Sequence, residues 1–129
     1  MTSESTTMTS EQKKALLLLK SVIFHYHGLD SEEQTILDRT AEKLDAWEEL
    51  KWASDFISLD YYTAFERARD YLNEIVGSLD KDTKLSYLSM VWEANNTKGY
   101  VTEMEATAML KLAKDWHVQK ELMMLVRKR

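Results

Sequence analysis

The chain has 129 residues, three glycines, no proline, no cysteine and a net charge of -5. That length supports one domain with its own core, and the scarcity of glycine and proline beside abundant Leu, Lys, Glu and Ala favours an all-α fold. The lack of cysteine excludes disulfides, thiolate metal centres and cysteine nucleophiles, and the acidic balance argues against a dedicated nucleic-acid binder.

The opening MTSESTTMTS lacks the basic start and apolar stretch of a secretion signal and reads as a polar tail over residues 1–9. One helical domain is expected over 10–129. Ser10 is placed as the cap of a first helix, with Lys13 and Lys14 outside and Leu16, Leu17, Leu19, Val22, Ile23 and Tyr26 on a broad apolar face. The apolar run Ala15 to Leu19 is far shorter than the ~20 residues of a membrane span, so no insertion and a cytoplasmic location are expected. Gly28 should end this helix. A second starts at Asp30 or Ser31, with Ile36, Leu37, Ala41 and Leu44 at helical spacing. A third runs from Ala46 to about Ile57 and carries Trp47, Leu50, Trp52, Ala53 and Phe56.

Ser58 or Asp60 is expected to cap a fourth helix with Tyr61, Ala64, Phe65, Ala68, Leu72, Ile75 and Val76 inward, ended by Gly77. In DYYTAF, one tyrosine should point out if the other points in. Asp80 or Asp82 opens a fifth helix through Leu85, Leu88, Val91 and Trp92 to about Asn95. Thr102 caps a sixth with Ala106, Met109, Leu110 and Ala113, and a seventh follows from about His117 with Val118, Leu122, Leu125 and Val126. No stretch alternates with period two for long, so strands are not expected.

Two segments share one plan. HYHGLDSEEQTIL and NNTKGYVTEMEATAML each run from an apolar helix through Gly and an apolar residue into a helix start whose third position is Glu. Aligning Gly28 on Gly99 sets Leu19 against Met90 and Ile23 against Ala94. One inserted residue then sets Leu29 on Val101, Glu33 on Glu105, Thr35 on Thr107, Leu37 on Met109, Ala41 on Ala113, Glu49 on Glu121 and Leu50 on Leu122. The order has a physical reason. Gly reverses the backbone, the apolar residue pins the turn, and Asp30 or Thr102 accepts from free amides of the next helix. Glu33 or Glu105 completes a capping box worth roughly 1 kcal/mol, without any ligand.

This doubled pattern resembles the TerB-like family, named for tellurite-resistance proteins, whose turn is usually written A-D-G-x-[IV]-x-x-x-E. The clearer match is TKGYVTEMEATAMLKLA at 97–113, preceded by LSYLSMVWEAN; the weaker is YHGLDSEEQTILDRTA at 26–41. The likeness spans nearly the whole chain. It implies a bundle of about seven helices, and a stress-response protein working by protein interaction rather than catalysis. It also implies a divalent cation held by turn aspartates and helix glutamates. Here only Glu33 and Glu105 match, with Asp30 nearby as a further oxygen donor. The family aspartates are replaced by His27 and Lys98. A cation such as Ca²⁺ wants six to eight oxygen ligands, and an ammonium in place of a carboxylate works against it.

His25 and His27 form an H-x-H pair, but i and i+2 on a helix point about 200° apart and do not converge on one ion. Both suit a last helical turn, where the dipole favours imidazolium, with His25 half buried. His117 is a cap or packing residue rather than a third ligand. Trp47, Trp52, Trp92 and Trp116 stand at core or rim spacings. Met104, Met109, Met123 and Met124 are read as core gap-fillers, with an adaptable partner surface as the other reading. KELMMLVRKR closes the bundle with a basic last turn; the alternative is docking on an acidic partner or membrane. Two functions follow: a helical interaction protein, whose partner is another protein and whose homo-oligomeric state the sequence leaves open, and a module that binds or senses divalent metal. A hydrolase using His25 or His27 comes third.

Overall fold

A computed structural model of the chain describes residues 9–25, 31–97 and 103–127. Seven helices lie in those ranges and no strand is found among them. They are α1 (Ser10–His25), α2 (Ser31–Leu44), α3 (Trp47–Ser58), α4 (Ala64–Ile75), α5 (Lys81–Thr97), α6 (Glu103–Asp115) and α7 (Gln119–Arg127). The all-α bundle expected from periodicity is the fold. Tyr26, His27, Gly28, Leu29, Asp30, Lys98, Gly99, Val101 and Thr102, which carry the two glycine turns, lie outside the described residues.

α1 is the hub. Every residue from Ala15 to Phe24 is buried, and α2, α3, α4, α5 and α6 all pack against this helix. A helix apolar on one face can lie at a surface, whereas four successive leucines at 16–19 cover all faces and require neighbours all round. Lys20 and Ser21 are carried inside by this geometry. The cap of α1 is Thr9, not Ser10. The Gln12 amide donates to Thr9 Oγ1 at 3.1 Å and the Thr9 amide to Gln12 Oε1 at 3.0 Å, a reciprocal box of the T-x-x-Q kind. Ser10 is helical and its hydroxyl donates to Glu49 Oε2 of α3 at 2.7 Å.

The fourth helix starts later than its apolar spacing suggests. Asp60 Oδ1 accepts the Tyr62 amide at 3.0 Å and organises a turn over residues 61–63. Tyr61 is therefore outside α4, and both tyrosines of the pair are exposed. Asp80 does cap α5, accepting from the Thr83 amide at 3.1 Å and the Thr83 hydroxyl at 2.7 Å. Gly77 follows α4 as expected. A Cβ there would stand 2.2 Å from the Asn73 carbonyl oxygen, so no larger residue fits without moving the backbone.

The two halves reuse one turn. Between α2 and α3, Asp45 takes a left-handed φ of 53°, and between α6 and α7, His117 takes 61°. The Asp45 amide donates to the Glu42 carbonyl and the Ala46 amide to Ala41, at 3.3 and 2.8 Å. Correspondingly, His117 donates to Lys114 and Val118 to Ala113, at 3.2 and 2.9 Å. Both are Schellman motifs, with a non-glycine residue at the left-handed position. Ala41 and Ala113, and Leu50 and Leu122, are pairs set by the sequence alignment, and all four are buried. Ser10 of α1 binds Glu49 of α3, and Lys81 of α5 binds Glu121 of α7 at 3.0 Å. The duplication thus extends to the contact that ties the first helix of each half to the third.

A polar clamp joins α4 to the end of α6. Arg69 donates from Nε and Nη2 to the two oxygens of Asp115 at 2.6 and 3.0 Å. Asn73 Nδ2 donates to Asp115 at 3.1 Å while its Oδ1 accepts from the Trp116 indole at 2.8 Å. The Arg69 guanidinium holds the Asp115 carboxyl below the usual carboxylate range.

Candidate functional site

Glu33 and Glu105 occupy the third positions of α2 and α6. A first-turn glutamate is normally solvated, yet both here have zero relative exposure. A carboxylate taken out of water at that cost must be paired or hydrogen-bonded, and neither side chain lacks a partner. The capping box expected from the sequence would use the amides of Asp30 and Thr102, which lie outside the described residues. Asp30, the third member of the expected cation set, lies there too, as do His27 and Lys98. Among the described residues, no group of three or more His, Asp or Glu side chains is placed to hold a metal.

His25 ends α1 and is half-buried as expected. Its ring lies over Tyr61 at a centroid distance of 5.9 Å and an interplanar angle of 37°. Burial lowers its pKa below the usual 6.5, with the Glu33 carboxylate pulling the other way. A cavity of about 90 Å³ opens beside it, lined by Val22, Ile57, Tyr61, Tyr62, Ala64 and Phe65 as well as His25. That holds a few waters and is small for an organic substrate, since ligand sites usually run to about 300–1,000 Å³. No sequence signal pointed to this pocket. It arises because the turn at Asp60 swings two tyrosines across the end of α1.

Lys20 is the second group that sequence patterning missed. It lies among leucines with 8% relative exposure, and its Nζ donates to Thr40 Oγ1 at 2.9 Å. Desolvation first, and the nearby Lys43 second, lower its pKa from 10.5 to about 8. Neither the cavity beside His25 nor the hollow on α7 is lined by Lys20.

The larger departure from expectation is on the surface. Met109 is buried, but Met104, Met123 and Met124 are exposed, so they do not fill the core. Trp47 is also outside it, at 51% relative exposure. The other three tryptophans pack as expected. Trp116 is buried, Trp92 is partly buried against the core, and Trp52 lies 5.4 and 5.2 Å from the rings of Phe56 and Tyr71. Leu59 and Tyr62 stand almost wholly in water. The exposed positions fall at the start of α3, at the α3–α4 corner and on α5, α6 and α7. Among the described residues, no helix is long and apolar enough to cross a membrane.

Compared with family models, curated proteins and solved structures, the chain finds no significant match.

Proposed function

We propose that this protein is a non-enzymatic, cytoplasmic interaction protein of the TerB-like kind, docking other proteins through side chains its own fold leaves uncovered. The observation that supports this reading is the set of large apolar side chains in solvent, Tyr62 at 100% relative exposure above all. Each would gain roughly 1.5–3 kcal/mol on burial, a gain available only from a partner. The doubled turn and matched glutamates carry the TerB-like resemblance, and any role in stress response or tellurite resistance follows from that resemblance alone. The acidic net charge speaks for protein rather than nucleic-acid partners.

Photo-cross-linking in the source cell tests the reading. A photoreactive residue in place of Tyr62 or Met124 should give discrete protein adducts that the same residue at the exposed polar Ser54 does not. Identical, diffuse labelling from all three positions would rule the reading out.

A second reading is favoured by one specific observation, the burial of two carboxylates at matched positions. On it, Glu33 and Glu105, with Asp30, hold a divalent cation. Ca²⁺, Mn²⁺ or Zn²⁺ would then raise the melting temperature of the wild type and not of Glu105→Gln, because a ligand of the native state stabilises it. An unchanged melting temperature with all three ions removes this reading.

A further inference from the structure

The two halves are built alike but covered unequally. In the first, α4 packs across α1 and α3 and fills the groove between them. Its Ala64, Phe65, Ala68 and Leu72 are buried, and Tyr71 closes over Trp52 and Phe56 at ring separations of 5.2 and 6.2 Å. In the second half, α5 and α7 stand where α1 and α3 stand in the first. The helices packed against α5 are α1, α6 and α7, and among the described residues none takes the place of α4. The side chains record this difference. Met90 matches Leu19, which is fully buried, and Met124 matches Trp52, which Tyr71 covers; both methionines are exposed. Gln119, Lys120, Met123 and Met124, all on α7, line an open, shallow groove of about 580 Å³.

We propose that the α7 groove, on the face the second half leaves uncovered, receives an amphipathic helix from a partner protein, with apolar residues at three- and four-residue spacing inward and an acidic flank. The proposal rests on the interaction reading above and names its surface and partner. The form of the occupant comes from the molecule itself: the equivalent groove already holds a helix, α4, whose buried residues follow that spacing. The charge comes from α7. Lys120 lines the groove, while Glu121, the acidic residue of α7, is engaged by Lys81. Methionine suits such a surface, since its unbranched thioether repacks against varied partners. Helix-in-groove recognition uses this combination of apolar anchors and flanking charge.

A labelled peptide of residues 60–79, which includes α4 and is itself acidic, is the probe, with a scrambled peptide of the same composition as control. Fluorescence anisotropy with the full chain should give saturable binding to the 60–79 peptide alone. Met124→Asp and Met123→Asp should each weaken it at least about tenfold, and Tyr62→Asp should leave it unchanged. All three side chains are exposed, so the variants keep the fold, which circular dichroism checks. Absence of saturable binding, or equal binding by wild type and Met124→Asp, overturns the proposal. So does self-association that Met124→Asp abolishes, because a second copy would then fill the groove. Discrete cross-links from position 62 alongside such a failure would leave the interaction reading standing and remove only the groove.

Discussion

Lys20 shows how one residue can be carried against its own preference. Its neighbours on α1 are buried on every side, so its ammonium sits out of water with Thr40 as hydrogen-bond acceptor. Burying that charge costs more than the single bond returns. Lys20→Met keeps the length of the side chain and removes the charge, and Thr40 retains its own bond to the Ile36 carbonyl at 3.0 Å. The variant should be more stable at pH 7 by about 1–3 kcal/mol in urea unfolding. The sign with pH follows from a folded-state pKa lowered to about 8 against 10.5 unfolded. Between those values the unfolded chain binds more protons, so wild-type stability rises with pH and the advantage of Lys20→Met shrinks. An advantage constant from pH 7 to pH 10 would show that Lys20 is solvated. None of this was legible in the sequence, because a lone charge inside an apolar run normally marks the outer face of a helix. Only the four leucines in a row hinted that α1 has no outer face.

At the scale of elements, periodicity and caps located six of the seven helices closely, and the exceptions have local causes. Tyr61 has the spacing of an α4 core residue, yet the Asp60 side chain takes the Tyr62 amide and delays the helix to Ala64. Thr9 outcompetes Ser10 as a cap because Gln12 answers it and Ser10 is engaged by Glu49. Contacts between elements were beyond reach. Arg69 and Asp115 are distant in sequence and nothing in their surroundings pairs them. Their bidentate contact, joined by Asn73, holds α4 against α6. Asp115→Ala strands both donors and should cost about 1–3 kcal/mol. Because the folded-state pKa of Asp115 is depressed, its contribution is present above the ordinary value of 3.8 and is lost as pH falls below it. Wild type and Asp115→Ala should therefore converge in stability in acid, as measured by denaturant midpoints at pH 7 and pH 3. A difference that stays the same at both pH values would refute the ionised pair.

The whole molecule is two similar halves about a shared interior, with α4 added to one of them. The glycine pattern suggested that plan, and its described counterpart is the pair of turns at Asp45 and His117, which contain no glycine and gave no sequence signal. Both carry a φ that an L-residue holds at a cost, and both side chains are exposed. Uneven covering explains why the exposed methionines were misread. Residue type and spacing show which face of a helix is apolar, but not whether another helix arrives to cover it.

That twofold plan is tested most directly by relieving both turns. Asp45→Gly and His117→Gly each exchange a left-handed L-residue for one with no Cβ. Each should raise stability in equilibrium unfolding by about 0.5–1 kcal/mol, the relief exceeding the added chain entropy. The turns are separate, so the double variant should give close to the sum. Stabilisation at one turn with loss at the other would contradict the equivalence of the two halves.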